Sequence, residues 1–190
     1  PLMTKRDRGD SELSARIWLT LTKPSSDGIA ARLRKRNFDV LNRPVTRIEE
    51  LPRSQISSEI SLADKNVFLS QHAARIVLSI CEEDGIPLTG RFFAIGNATA
   101  AAIESKNSRL LVEVPKLQNS TGLLNLPELV PKNSGGELRQ DETVTTFCGE
   151  DGKDQVARAL EHNCIFRETY VYRRKNAEYE EVNISEIDVI

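Results

Sequence analysis

From Asp64 onward, short apolar runs alternate with amphipathic stretches of roughly ten residues. No other feature constrains the fold as much. A strand, a covering helix and a further strand joined by short loops close as a right-handed βαβ unit, and a series of such units makes a parallel sheet. Val67–Leu69 reads as a strand. Ser70 then caps a helix with Ala73, Ala74, Ile76, Val77 and Ile80 as its inner stripe and Gly85 as its stop. Arg91–Ile95 is a second strand, closed by Gly96-Asn97 ahead of an alanine-rich helix from Thr99 through Ile103. Leu110, Leu111, Val112 and Val114 form a third, after which Ser120 and Thr121 cap a helix carrying Leu123, Leu124 and Leu126. Val144–Cys148, a turn over Gly149–Gly152, a helix over Lys153–His162 and a strand over Ile165–Tyr172 complete five strands. Pro127–Glu142 is polar and reads as loop or weak helix.

Ahead of this series, Ile17, Trp18, Leu19 and Leu21 form a strand, and Ser25, Ser26 and Asp27 suit the cap of a helix with Ile29, Ala30 and Leu33 on one face. Phe38–Leu41 is a further strand running to Pro44, and Ile48, Glu49, Glu50 and Leu51 begin something more polar. At the far end, Asn183–Ile190 is the approach to another strand with no helix after it to cover it.

Charge and composition remove several classes. Lys and Arg number 26 against 28 Asp and Glu, a formal charge of −2, so no global field draws in nucleic acid or an acidic membrane. A chain that is 39% hydrophobic and 28% charged has material for a core and reads as a soluble globular protein. No apolar run approaches the roughly 18 residues of a membrane span. Pro1–Asp10 has no apolar core of a secretory signal. Cys81, Cys148 and Cys164 show no C-x-x-C pattern, which argues against a zinc site or a disulfide framework. Buried thiols in a reducing compartment, the cytoplasm, are expected.

In an open parallel sheet, ligands bind beyond the carboxyl ends of the strands. That rule selects Thr22 and Lys23, Ser70 and Gln71, Gly96 to Thr99, Asn119 to Gly122, Gly149 to Lys153, and Tyr170 or Tyr172. These are hydroxyls, glycines and amides at helix starts, where unpaired N–H donors and the helix dipole suit carboxylates or phosphates. No G-x-G-x-x-G, Walker or G-x-S-x-G motif is present, so nucleotide hydrolysis, dinucleotide cofactors and serine hydrolysis lack their signatures. Simpler readings stand beside each candidate. Ser70 serves as an N-cap, the Gly149–Gly152 turn as plain turn chemistry, His72 as an exposed polar residue in a first turn, and Tyr172 as a packed strand tyrosine.

Taken in order, several segments carry a resemblance. They are Leu21-Thr22-Lys23-Pro24, a strand running into Pro44, and Phe68-Leu69-Ser70-Gln71-His72-Ala73. Ile95-Gly96-Asn97-Ala98-Thr99-Ala100, the most specific of the set, follows, then Asn119–Leu124, Gly149–Lys153 and Val171-Tyr172-Arg173-Arg174. Their order and spacing resemble the uroporphyrinogen-III synthase family, which closes a linear tetrapyrrole into the asymmetric precursor of haem. Three positions depart from the family pattern. Lys23 and Lys153 stand for arginines, which keeps the charge and loses the bidentate fork, and Asn37 stands where a glycine usually follows the first helix.

The resemblance implies two flavodoxin-like domains joined by paired linkers, the first domain assembled from both chain ends. On that plan 1–13 is a disordered extension and 14–45 is the opening strand-helix-strand of an incomplete first domain. Residues 46–174 form a complete second domain with a five-stranded parallel sheet, and 175–190 are the return linker and the start of a truncated strand. It further implies a lyase that dehydrates hydroxymethylbilane and closes the ring with inversion of the last pyrrole, using neither metal nor cofactor. Tyr172 is the implied catalytic residue. Thr22, Lys23, Ser70, Gln71, Gly96, Thr99, Ser120, Thr121, Gly149 and Lys153 are the implied substrate-binding set. A full-length protein is expected to be a monomer. A truncated form is expected to be weakly active or inactive, with an exposed strand edge that promotes association. The rival reading is a non-catalytic flavodoxin-like module holding an anionic small molecule.

Overall fold

Phe92, Phe68 and Phe147 stand on adjacent strands and stack, with Phe68 6.3 Å from Phe92 and 4.9 Å from Phe147 between ring centroids. Each ring contributes roughly 1.5–3 kcal/mol by leaving water, so this row anchors the packing on one face of the sheet. The computed structural model describes residues 15–23, 25–53, 56, 59, 63–152, 154–178 and 182–190. The extension 1–13, Pro24 and Lys153 lie outside them. Contacts divide the chain into two units, one reaching to Arg47 and resuming at Lys175–Ile190, the other spanning Ile48–Arg174.

In the first unit, β1 (Arg16–Leu19) pairs in parallel with β2 (Asp39–Asn42) across α1 (Ser25–Arg34). Ser25, Ser26 and Asp27, expected as caps, form the first turn of α1 itself, and Ser26 is buried there. Asn37 turns the chain with φ 62°, the left-handed region that glycine adopts freely and asparagine tolerates. Val189 forms a parallel bridge to Ile17 and accepts from the Trp18 N–H at 2.8 Å, so the last residues run beside β1.

The second unit is built on β4 (Lys65–Phe68), α2 (Gln71–Asp84), β5 (Arg91–Ala94), α3 (Asn97–Lys106), β6 (Val112–Glu113), α4 (Ser120–Leu124), β7 (Thr143–Gly149), α5 (Gln155–Leu160) and β8 (Ile165–Asn176). The β8 strand runs beyond Tyr172, where the sequence placed its end. Strands β4 to β8 pair in parallel throughout. Phe68, Phe92 and Phe147 pack under Ala73, Val77, Ile80 and Ile103 of α2 and α3. Val67, Phe93 and Val144 on the other face pack under Leu123 of α4, Val156 and Leu160 of α5, and Leu129 and Leu138 of the β6–β7 crossover. Both faces are thus covered, as a parallel sheet requires.

Three features differ from the sequence expectation. The polar run after Pro44 is a strand, β3 (Thr46–Glu50), which makes the sheet six-stranded in the order β3-β8-β7-β4-β5-β6. The Leu51 N–H donates to Val171 and the Ala177 N–H to Val45, so β3 runs antiparallel to β8. Arg173 Nε donates to Glu49 at 2.8 Å across the pair. Secondly, the five parallel strands, counted from β4, lie in the order 3-2-1-4-5 rather than flavodoxin's 2-1-3-4-5. The crossover from β6 to β7 carries the chain back past β4 to the sheet's other half and, beyond α4, holds only two short 3₁₀ turns, Pro127–Leu129 and Lys132–Ser134. Thirdly, α4 is capped by Asn119, whose Oδ1 accepts from the Gly122 N–H at 2.9 Å, and not by Ser120 or Thr121.

Candidate functional site

Because β4 to β8 are parallel, their carboxyl ends share one edge, and the order reverses between β4 and β7. Two helices leaving in opposite directions open a crevice at such a reversal. The residues around it are Ser70, Gln71 and His72 after β4, Gly149 and the turn to Gly152 after β7, and Tyr172 on β8.

Ser70 holds an extended backbone and its Oγ accepts from the Ala73 N–H at 3.1 Å, so its hydroxyl acts as the N-cap of α2. Gln71 and His72 follow in the first turn, both half-buried. Tyr172 is 2% exposed. Its ring lies across Gly149, where a Cβ would stand 2.6 Å from ring atoms Cε2 and Cζ and 3.0 Å from the hydroxyl oxygen. Only glycine leaves room for the ring in that place. His72 meets the same ring edge-on, centroids 5.7 Å apart and planes at 63°. The Arg174 guanidinium carbon lies 5.7 Å from the ring centroid, within reach of a cation–π contact, and Nη1 of Arg174 is 3.9 Å from Asp151.

Two guanidinium groups act on the imidazole at this crevice, and one of them, Arg174, also lies near Asp151. Burial lowers the pKa of the His72 imidazole below its ordinary value, and the charges of Arg174 and Arg75 lower it further. A neutral imidazole flanked by two guanidinium groups suits carboxylates. Burial, with the Glu168 carboxylate beside it, pushes the Cys148 thiol up to about 12, so it is no nucleophile at neutral pH.

The other expected residues are less uniform. Gly96 is the N-cap of α3, and Gln118 Oε1 accepts from the Asn97 N–H at 2.9 Å, placing a carboxamide oxygen at that corner. Thr99, expected at the corner, is instead buried in the first turn of α3, with its N–H donated to Gly96. Thr121 Oγ1 accepts from Gln155 Nε2 at 3.3 Å, and Ser120 is half-buried beside it. Lys153 is outside the described residues. Thr22 and Lys23 belong to the first unit, where the Thr22 carbonyl accepts from the Ser26 N–H and Lys23 Nζ lies 3.8 Å from Asp27.

Sequence reasoning passed over His72, Arg75 and Arg174 as site residues. The available signals were spacing signals: Arg75 lies one helical turn beyond His72, and Arg174 lies two residues beyond Tyr172 on the same strand. A cavity of about 450 Å³ opens at the opposite edge, lined in part by Pro131, Lys132, Leu138 and Arg139. No strand carboxyl end meets it.

A doubly wound α/β unit with a tyrosine and a histidine in contact at its switch point defines a protein of the open-sheet class. The family model of uroporphyrinogen-III synthase HemD matches residues 27–190, and the chain belongs to that family. A mutant uroporphyrinogen III synthase of the extremely thermophilic bacterium Thermus thermophilus matches at 17% identity and a TM-score of 0.58, over 86% of this chain and 64% of that one. The wild-type enzyme of the same organism, in a second crystal form, matches at 18% and 0.51, over 86% and 63%. At that identity the likeness is one of fold, and this chain spans less than two thirds of those proteins' length. No curated protein matches significantly.

Proposed function

We propose that this chain carries out, or forms part of a protein that carries out, the family's cyclisation of hydroxymethylbilane to uroporphyrinogen III. The observation that carries the reading is Tyr172 laid over Gly149 at the switch point of a family member's sheet, with His72 against the same ring. The hydroxymethyl C–O bond breaks, the hydroxyl takes up a proton and leaves as water, and the pyrrole nitrogen's electron pair fills the gap to give a protonated azafulvene. Attack by the last pyrrole forms a spiro carbon, its breakdown and reclosure invert that ring, and the proton shed by the closing pyrrole carbon replaces the one given to the hydroxyl. The substrate thus brings its own electrophile, and the protein's part is to orient it and to assist departure of the hydroxyl.

Tyr172 is the proposed donor to the departing oxygen. Gln71, Gly96, Ser120, Thr121, Gly149 and Lys153 are proposed to meet acetate and propionate groups, joined by Arg75. The test is a product assay that separates isomer III from isomer I. The chain is expected to raise the share of isomer III, and Tyr172→Phe to lower turnover by about 10²-fold, the lower end of what a positioned acid supplies. Isomer I alone, at the rate without protein, is the result against the reading.

A further inference from the structure

Tyr172 reaches the crevice through an irregularity in β8. Pairing with β7 runs Phe147 to Thr169, Cys148 to Tyr170, then Gly149 to Tyr172, so Val171 is an extra residue with no register partner on β7. Regular alternation would place Tyr172 on the face of Tyr170, the α5 side. The bulge returns it to the face of Phe147, where α2 packs, and Val171 and Tyr172 are both buried in that cluster. Once there, the ring touches three elements: Gly149 of β7 beneath it, His72 of α2 at its edge, and Arg174 of β8 over it.

A phenol hydroxyl follows the plane and direction of its ring, and the second side-chain torsion of tyrosine is broad. An error of about 1 Å in a reacting group costs on the order of 10²-fold in rate. From this arrangement we infer that His72 and Arg174 are positioning residues that fix the Tyr172 ring and so aim its hydroxyl at the departing group. The inference rests on Tyr172 having the role given above. His72 acts through the edge of its ring and Arg174 through its face contact, and neither exchanges a proton with substrate.

The test combines His72→Ala and Arg174→Gln with Tyr172→Phe, and follows isomer III formation together with NMR of protein carrying ring-labelled tyrosine. Each single variant is expected to lower kcat about tenfold with KM changed less than about twofold. The same changes made in the Tyr172→Phe background are expected to cost less than about twofold, since the hydroxyl they aim is gone. His72→Phe, which keeps an aromatic edge, is expected to restore most of the loss and to guard against a folding defect in the alanine variant. The Tyr172 resonance, identified by its disappearance in Tyr172→Phe, is expected to move in both single variants. Equal losses in the two backgrounds, or a Tyr172 resonance that stays in place, overturn the inference. If the unsubstituted chain forms no isomer III, the proposed function fails, while the resonance still shows whether these two residues hold the ring.

Discussion

The two edges of the parallel sheet are made from different chemistry. At the amino ends of the strands, charges are closed upon one another. Lys65 of β4 is buried against Glu142, Asp64 accepts from the Thr143 N–H at 2.8 Å, and Arg91 of β5 bonds Glu113 and Glu128. At the carboxyl ends stand Gly96 and Gly149, Ser70, Gln71, His72 and Tyr172, with Arg75 and Arg174 nearby. One edge ties strands together and the other presents donors. Substitution at the first should therefore be felt in stability, and substitution at the second in the identity of the product.

The largest test of that contrast is Lys65→Met. It leaves Glu142 without its cation in a mostly buried position, and removing one partner of such a pair costs about 3–5 kcal/mol. Urea denaturation should show that loss while the ratio of isomers made by the remaining folded protein stays as it was. A changed ratio would mean that the edges are not separate. Burial by itself would raise the Glu142 pKa, but the Lys65 hydrogen bond and the Arg139 N–H outweigh it and hold the carboxyl below its ordinary 4.5.

Gly149→Ala approaches from the other side. The new methyl would collide with the Tyr172 ring, and an overpacked position costs about 1–3 kcal/mol. Since the atom it meets belongs to a side chain, the ring should give way first. Thermal melting is expected to drop modestly and isomer III formation to fall far more. A variant that melts much earlier yet retains its product specificity would contradict this.

The smallest effect concerns pH. Because the folded-state pKa of His72 lies below its ordinary 6.5, the unfolded chain takes up a proton first as the solution is acidified. Stability from this source is whole above 6.5 and declines as pH falls through the window between the unfolded and folded values. His72→Phe removes the decline, which a comparison of denaturation midpoints at neutral and mildly acid pH would show. An unchanged acid response would place the imidazole in a less buried setting.

The repeating units were legible in the sequence because each carries its own periodicity. Ser70 and Gly85 bracket α2 as their chemistry requires, and the α2 stripe from Ala73 to Ile80 is buried throughout its expected positions. What escaped depends on partners distant in sequence. Thr46–Glu50 has no apolar alternation strong enough to announce a strand, and is held by hydrogen bonds to β8 and by Glu49 on Arg173. The strand order hinges on a crossover whose long second half lacks a helix to signal direction. Asn119 and Ser120 are equally good capping residues, and backbone geometry alone chooses the first. His72 reads as a solvated polar residue until Tyr172 is brought against it. Thr99 looks like a corner hydroxyl, but the helix begins two residues earlier than its sequence suggests and carries it inside.

Val171 gives the last strand a phase shift, and phase is inherited differently from side-chain chemistry. Deleting that one residue would close the bulge and leave the phenol opposite Gly149, on the layer it already occupies. Flattening the bulge while keeping the residue would turn the phenol to the opposite layer. In this strand, then, a relative can lack Val171 and keep its site, while one that keeps both residues but loses the bulge has changed it as thoroughly as one that replaces the tyrosine.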